Sequence, residues 1–277
     1  MSESHCYERR LGAIGPEDSL TKLATWIAQG STVLELGPAC GYFSAYLRDA
    51  LDCTVDAVEM DPAMAERARP FCRQLLVADL AGFDPVSRLP QGGYDAIVAA
   101  DVVEHLAAPE PLLHRLAPLL RPGGQLLLSV PNVAYAGLAA ALMDGRFDYR
   151  DEGLLDRTHL RFFTRESLAA LLATTGWNVA EWAAVFRPLL ESEFKLRLDR
   201  SPAALVQALL ARPHALCYQW LARAVTVPRD EPALPPPCCQ DAYPCRLYLR
   251  NRDEPDDSDR ELTAWAGIGG APETLSF

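Results

Sequence analysis

The stretch from Val33 to Ser44 constrains the fold more than any other part of the chain. It opens with an apolar run that ends at Gly37, and a second glycine, Gly41, precedes an amphipathic run. This pattern predicts a buried strand, a small-residue turn and the first turn of a helix, an arrangement that points backbone N–H groups at a ligand. A nucleotide-like ligand is therefore expected at this turn.

Strands and helices are predicted to alternate along the rest of the chain. Apolar runs predict strands at 54–60, 75–78, 94–100, 125–130 and 178–186, and helical spacing of apolar residues predicts helices between them. Near-continuous apolar strands suit a parallel sheet that is covered on both faces. The expected fold class is α/β, with a Rossmann-like, doubly wound, mostly parallel seven-stranded sheet and a helical insertion before the last strand.

The chain divides into five predicted segments. Residues 1–31 form an N-terminal helical cap, 32–187 a Rossmann-like core with a long connection at 131–164, 188–242 a helical insertion, 243–250 the last strand, and 251–277 an acid-rich tail that is expected to be disordered. The apolar face of the insertion is compatible with a homodimer contact or with peripheral contact to a membrane surface.

Charge and composition narrow the range of partners. The formal net charge of −11 argues against nucleic acid, because a phosphate backbone rewards basic patches. No apolar run reaches the ~18 residues of a transmembrane helix, and the N-terminus has no apolar signal segment. The eight cysteines are scattered, which indicates reduced thiols and a cytoplasmic location. A small-molecule partner remains.

Acidic residues follow two of the predicted strands. Glu59 ends the second strand, where a carboxylate can accept hydrogen bonds from both ribose hydroxyls of a nucleotide, and Asp79 follows the third, where it suits an adenine amino group. Both lie at carboxyl ends of strands, the edge at which open α/β sheets bind ligands. A nicotinamide-dependent oxidoreductase shares these features, but Gly37 and Gly41 do not have G-x-G-x-x-G spacing.

In this order the motifs resemble those of the class I S-adenosylmethionine-dependent methyltransferases. The matching segments are Val33–Gly41 (VLELGPACG), Val58–Pro62 (VEMDP), Ala78–Leu80 (ADL), Tyr94–Val98 (YDAIV), Asp101–Leu106 (DVVEHL) and Leu120–Gly124 (LRPGG). The resemblance covers roughly residues 15–250, and the ordered set is far more specific than any single motif.

The resemblance implies that S-adenosylmethionine is the cofactor and assigns residues to its parts. Glu35 and the backbone from Gly37 to Gly41 would hold the amino acid end. The remaining implied cofactor residues are Glu59 and Met60 at the ribose, Asp79 and Leu80 at the adenine, and Asp101 after the fourth strand. Ala39 departs from the family, which usually has a glycine there; we expect it to be tolerated while leaving less room beside the methionine portion.

The segment Asp156–Thr164 (DRTHLRFFT), followed by Gly176 and Trp177, resembles a subgroup that includes ubiquinone-pathway O-methyltransferases and bacterial enzymes encoded with glycan assembly. The expected reaction is methylation of a small-molecule hydroxyl, a sugar of a glycan or its precursor. A quinone-type or other small-molecule acceptor is the alternative. A non-catalytic module that retains the fold and recruits partners is a third hypothesis.

Two histidines are candidates for the base that removes the hydroxyl proton, His105 after the fourth strand and His159 in the long connection. Either could equally have a capping or packing role. Arg157 and Arg161 could bind an anionic or hydroxyl-rich acceptor, and Asn132 is a further substrate-binding candidate. A turn formed by residues 156–158 would also explain the arginine-rich pattern.

No metal is predicted. Asp101, Glu104 and His105 could in principle bind a divalent cation, but a hard-ion site needs several converging oxygens, and the sequence alone does not show convergence. A cluster of three cysteines near the C-terminus, Cys238, Cys239 and Cys245, lacks the paired C-x-x-C spacing of a zinc site.

Overall fold

The structure is a computed structural model that describes residues 18–194, 203–226, 247–249 and 260–262. The start of the predicted cap, the three-cysteine cluster and most of the acid-rich tail lie outside these residues. The chain forms two compact units: Met1–Pro131, Thr158–Val185 and Gln219–Cys239 make up the first, and Asn132–Arg157, Phe186–Tyr218 and Gln240–Phe277 the second.

A seven-stranded sheet organises the first unit. Its strands are β1 (Thr32–Leu36), β2 (Thr54–Glu59), β3 (Gln74–Val77), β4 (Tyr94–Ala100), β5 (Leu120–Pro131), β6 (Trp177–Phe186) and β7 (Cys217–Thr226). The spatial order is β3-β2-β1-β4-β5-β7-β6. The pairs from β3 to β5 are parallel, and β7 runs antiparallel to β5. The predicted fold class is confirmed, and the order reverses between β1 and β4, where such sheets bind ligands.

Eight α-helices are described. They are α1 (Ser19–Ala24), α2 (Tyr42–Leu51), α3 (Pro62–Ala68), α4 (Pro85–Arg88), α5 (Glu110–Leu116), α6 (Ala136–Met143), α7 (Arg165–Thr174) and α8 (Ala203–Leu210). Three of them begin at a side-chain cap: the Asp18 carboxylate accepts from the N–H of Leu20, Asp61 caps α3 before Pro62, and Thr164 caps α7. Leu23, Phe43 and Leu47 pack into the core against the sheet.

The position of the seventh strand corrects the sequence analysis. Residues 217–226 were expected within a helical insertion, but they form β7 beside β5, and the described part of the predicted last strand, residues 247–249, is not part of this sheet. Residues 247–249 pair instead with 260–262 in a separate two-stranded antiparallel sheet, so the tail also contains a strand. The error arose because Trp220, Leu221 and Ala222 are all buried, and a continuous apolar run fits a buried helix as well as a strand.

The second unit contains α6, α8 and the single-turn 3-10 helix Leu189–Glu191. The 3-10 helix and α8 lie between β6 and β7, so helical structure precedes the last strand of the seven-stranded sheet. Ala140 of α6 packs against Leu209 of α8. No helix within the described residues has the length and apolar character needed to cross a bilayer. Dimer formation and peripheral membrane contact through the insertion remain predictions.

Candidate cofactor and acceptor site

The turn between β1 and α2 depends on two glycines. Gly37 and Gly41 have φ values of +69° and +81°, a region that L side chains rarely adopt. A Cβ atom at Gly41 would lie 2.6 Å from the Ala68 Cα atom, and one at Gly37 would lie 3.1 Å from Val102 Cγ2. The turn therefore packs its backbone against α3 and against the segment after β4, and it requires glycine at Gly41 for both shape and space.

Ala39 lies between these glycines and is itself left-handed, with φ 49°. An alanine in this region is strained because its Cβ atom approaches the following carbonyl. Its backbone N–H donates a 2.9 Å hydrogen bond to Glu59 Oε2, which holds the turn in this conformation. Replacement of the usual glycine thus has a conformational cost in addition to the reduced room that the sequence suggested.

Glu59 is buried at the end of β2, and each of its carboxylate oxygens accepts a hydrogen bond from a backbone N–H group. Its Oε2 atom accepts from Ala39, and its Oε1 atom accepts a 2.9 Å hydrogen bond from the N–H of Asp61. Each carboxylate oxygen can accept a further bond, so two acceptor positions remain for vicinal hydroxyls. The residue that we expect at the ribose therefore also fixes the two loops that would surround it.

Glu35, which the resemblance places at the amino acid end of the cofactor, is buried beneath the turn. It is 5% exposed on β1 and accepts a hydrogen bond from the Ser44 hydroxyl of α2. Burial raises the pKa of Glu35 to about 7; the Ser44 hydrogen bond lowers it, and the negative charge of Glu59 raises it further. The carboxyl group therefore changes charge near neutral pH beneath the turn.

The predicted adenine side of the site follows β2 and β3. Asp79 is exposed, and its Oδ1 atom accepts a 2.9 Å hydrogen bond from the Ala81 N–H. Leu80 is half-buried beside it. Met60 directly follows Glu59 and is 64% exposed, so a large apolar side chain faces solvent at this edge. Such a side chain can cover one face of a planar ring.

Asp101 follows β4 and has a left-handed backbone with φ 53°. Its carboxylate accepts hydrogen bonds from Ser129 Oγ at 3.0 Å and from the side-chain amide of Gln219 on β7. Although Asp101 keeps some surface toward solvent, burial of the carboxyl group raises its pKa, and the two hydrogen bonds partly oppose this rise. Sequence reasoning missed Gln219 because it did not recognise β7.

The two candidate histidines come together in the first unit. His105 ends the 3-10 helix Val103–His105, and its ring centroid lies 4.8 Å from that of His159, with the rings nearly perpendicular at 68°. The Nδ1 atom of His105 lies 3.2 Å from the carbonyl oxygen of Thr158. The hydroxyl oxygen of Thr158 lies 3.1 Å from the same nitrogen. In the tautomer in which Nδ1 donates to the carbonyl, Nε2 has the lone pair.

Backbone hydrogen bonds hold the segment of His159 against that of His105. The carbonyl of Glu104 accepts from the N–H groups of Leu160 and Arg161 at 2.8 and 3.0 Å. The Arg161 guanidinium donates from Nε to the Ala107 carbonyl at 2.8 Å. Arg161 therefore has a structural contact, and its predicted role toward the acceptor stays a prediction. The Glu104 side chain is 1% exposed and lies with both histidines.

The other two predicted substrate residues belong to the second unit. Asn132 is buried, and its amide donates a 2.8 Å hydrogen bond to the Cys217 carbonyl. Arg157 forms a 2.8 Å ion pair with Asp151, and its Nε lies 3.4 Å from the Arg150 carbonyl. These contacts give both side chains structural partners, and binding of the acceptor by either stays a prediction.

Comparison with a known family decides the identity of the fold. Residues 7–181 match the family model described as methyltransferase domain, which is more than half of the chain. The chain belongs to the class I S-adenosylmethionine-dependent methyltransferases. In this methyltransferase the motifs around Gly37, Glu59, Asp79 and Asp101 follow β1 to β4 at one edge of the sheet, whereas the motif Leu120–Gly124 lies at the start of β5.

Relatives of the methyltransferase include a protein named ubiquinone biosynthesis O-methyltransferase from Xanthomonas campestris pv. campestris (strain B100). The two are 31% identical over 157 residues, which cover 52% of this chain and 62% of that protein. The chain thus spans about three-fifths of the length of this relative.

Two solved structures share the fold. In the complex between the Haloferax volcanii Trm112 methyltransferase activator and a methyltransferase, the match has a TM-score of 0.53 and 17% identity, covering 76% of this chain and 89% of that one. The match to magnesium protoporphyrin IX methyltransferase from Synechocystis PCC 6803 with bound SAH has a TM-score of 0.51 and 15% identity. It covers 76% of this chain and 83% of that one. At 15–17% sequence identity, these similarities show a shared fold and nothing more.

Proposed function

We propose that this methyltransferase transfers the methyl group of S-adenosylmethionine to the hydroxyl group of an aromatic small molecule of the quinone-precursor type. One observation carries the proposal: His105 and His159 converge after β4, beside Asp101 and at the same sheet edge as Glu59. Both histidines act electrostatically on the Asp101 carboxyl group, so the three side chains are close together. A proton acceptor and a nucleotide-binding edge are thus adjacent.

The residues at the turn after β1 fit the cofactor. Gly41 packs against α3 with no room for a Cβ atom, and its left-handed backbone forms the turn that leads into α2, where backbone N–H groups can bind a ligand. Glu59 offers two remaining acceptor positions for ribose hydroxyls, and Met60 offers an exposed apolar surface. When bound, S-adenosylmethionine supplies an electrophilic methyl group on a sulfonium centre.

The chain itself must position the acceptor and remove its proton. Methyl transfer is an in-line displacement, so most of its acceleration comes from orientation. When His105 donates its Nδ1 proton to the Thr158 carbonyl, its Nε2 atom can accept the hydroxyl proton. His159 packs edge-on against this ring and limits its rotation.

The acidity of the hydroxyl group favours a phenol over a sugar as the methyl acceptor. A neutral imidazole takes a proton more readily from a phenol, with a pKa of about 10, than from the far less acidic hydroxyl of a sugar. The name of the Xanthomonas relative supports an aromatic acceptor. The sugar acceptor that the sequence suggested has no support from any relative described here, so we rank the quinone-type alternative first.

The test is transfer of a labelled methyl group to defined acceptors. We expect methylation of a substituted catechol and no methylation of free or nucleotide-linked sugars. His105→Gln and His159→Gln should lower kcat by about 10²- to 10⁴-fold for whichever residue accepts the proton. His114→Gln, on the exposed face of α5, is the matched control and should not change kcat. Transfer to sugars alone, or unchanged kcat in both variants, would contradict the proposal.

A further inference from the structure

We propose that Glu104, His105 and His159 form a binding site for a divalent transition-metal ion such as Zn²⁺, Co²⁺ or Mn²⁺. Each residue offers one ligand atom, and the three atoms all lie within 4.8 Å of one another. Two imidazoles and one carboxylate are a ligand set that suits these ions. The sequence suggested a different trio, with Asp101 in place of His159, and could not show that any three groups converge.

The backbone preorganises this site. The carbonyl of Glu104 accepts from the N–H groups of both residues that follow His159, namely Leu160 and Arg161. The Arg161 side chain adds a third bond to the Ala107 carbonyl. The segment that carries His159 is thereby fixed against the 3-10 helix that carries the other two ligands. Small side-chain rotations would bring the three ligand atoms to the ~3.4 Å spacing of a tetrahedral site.

His105 also has the outer partner that a metal ligand needs. Histidines that bind metals commonly donate the proton of the other ring nitrogen to a carbonyl or carboxylate, which fixes the tautomer. The Nδ1 atom of His105 lies 3.2 Å from the Thr158 carbonyl oxygen. With the Nδ1 proton donated to this carbonyl, Nε2 has the lone pair that would bind the ion.

Burial differs across the three ligands in a way that favours an open site. Glu104 is 1% and His159 is 9% exposed, while His105 is accessible to solvent. The buried Glu104 carboxylate contributes the negative charge of this ligand set, and the attraction between that charge and a divalent ion is stronger in a buried position than in water. Three protein ligands with one open side leave a coordination position for an exchangeable oxygen, as catalytic zinc sites do.

The role of the ion in catalysis rests on the proposed function and adds a metal ion to it. An acceptor hydroxyl bound to the ion loses its proton to solvent, since a metal ion lowers the pKa of a bound O–H group. The oxygen lone pair then forms the O–CH₃ bond while the CH₃–S bond breaks and its electron pair passes to sulfur. The products are the methyl ether, S-adenosylhomocysteine and one proton. In this form the two imidazoles are ligands, and the ion replaces the free imidazole base.

Metal binding is tested without cofactor or acceptor. Chelator-treated, folded full-length protein is titrated with Co²⁺, and the visible absorption of the ion and the heat of Zn²⁺ binding are recorded. We expect one ion per chain. Glu104→Gln and His159→Gln should each weaken binding by about 100-fold or more, because each removes a ligand. His114→Gln should bind as the wild type does, and circular dichroism checks that each variant folds.

The outcomes separate this inference from the proposed function. If the wild type does not bind Co²⁺ or Zn²⁺, or if His114→Gln loses as much affinity as the two ligand variants, the metal site is wrong. If the ion binds and methyl transfer is equally fast in metal-free and metal-loaded protein, the site stands and its role in the reaction is wrong. If the ion binds as expected and no hydroxyl is methylated in either form, the metal site stands and the proposed function fails.

Discussion

The Oε2 atom of Glu59 accepts a 2.9 Å hydrogen bond from the backbone N–H of Ala39. This bond links the acid at the end of β2 to a left-handed alanine in the turn after β1, so two motifs that are separate in sequence form one structural unit. The shape of the cofactor turn consequently depends on the same carboxylate that we expect at the ribose. Changes at either residue should affect both stability and cofactor binding.

Ala39→Gly should stabilise the protein. Glycine adopts positive φ without strain, so the variant relieves the left-handed conformation, and we expect a gain of up to about 1 kcal/mol after the larger backbone entropy of glycine is subtracted. Urea unfolding measures this change. The control is Ala63→Gly on the exposed side of α3, which should lose about 1 kcal/mol because glycine is a poor helix former. A similar loss in both variants would show that Ala39 is unstrained.

Glu59→Ala should weaken binding of S-adenosylmethionine by ~1–3 kcal/mol, the usual effect of removing a charge-assisted hydrogen-bond partner. It should also lower the free energy of unfolding, because the N–H groups of Ala39 and Asp61 lose their acceptor. Glu59→Gln keeps one acceptor oxygen and should be destabilised less. Calorimetry and urea unfolding measure the two effects, with exposed Glu66→Ala as control. Unchanged affinity in Glu59→Ala would place the ribose elsewhere.

Glu35→Gln should change how stability depends on pH. The folded-state pKa of about 7 lies above the unfolded value of 4.5, so folding favours the protonated acid. The wild type therefore loses stability as pH rises from 4.5 to 7, by roughly 3 kcal/mol for a shift of this size. Glutamine does not titrate, so the stability of the variant relative to the wild type should rise by roughly 3 kcal/mol between pH 4 and pH 8. An equal difference at both pH values would contradict the burial of a titrating Glu35.

Gln219→Leu should raise the pKa of Asp101 further, because the Gln219 amide is one of the two hydrogen bonds that lower it. If ionised Asp101 contributes to cofactor binding, the acid limb of the affinity profile should move to higher pH. The measurement is the dissociation constant of S-adenosylhomocysteine between pH 5 and 8. Gln207→Leu, on an exposed position of α8, is the control. A profile that shifts equally in both variants, or in neither, would exclude this role for Gln219.

Sequence reasoning worked where local patterns determine structure. β4 has the predicted ends, and β1 and α2 lie on either side of the predicted glycine turn, since each is a short apolar or amphipathic run bounded by glycine or a change in periodicity. The residues at the cofactor edge could be named because the carboxyl ends of parallel strands share one edge whatever the loops do. The segments around Gly37, Glu59 and Asp79 all follow strands of the same sheet.

Contacts between residues far apart in the chain could not be predicted from local sequence patterns. β7 was missed because the burial of Leu221 comes from its neighbour β5, which no local spacing reveals. The convergence of His159 with Glu104 depends on backbone hydrogen bonds from Leu160 and Arg161 across more than fifty positions of chain. The left-handed conformation of Ala39 was also hidden, because the residue type favours the opposite sign of φ.

The most direct test of the central claim is calorimetric titration of the folded protein with S-adenosylmethionine, compared with titration by NAD. The glycine turn, Glu59 and the edge after β4 predict saturable binding of one S-adenosylmethionine per chain, weakened in Glu59→Ala, with no comparable binding of NAD. Absence of S-adenosylmethionine binding to the folded protein, or tighter binding of NAD, would contradict the account.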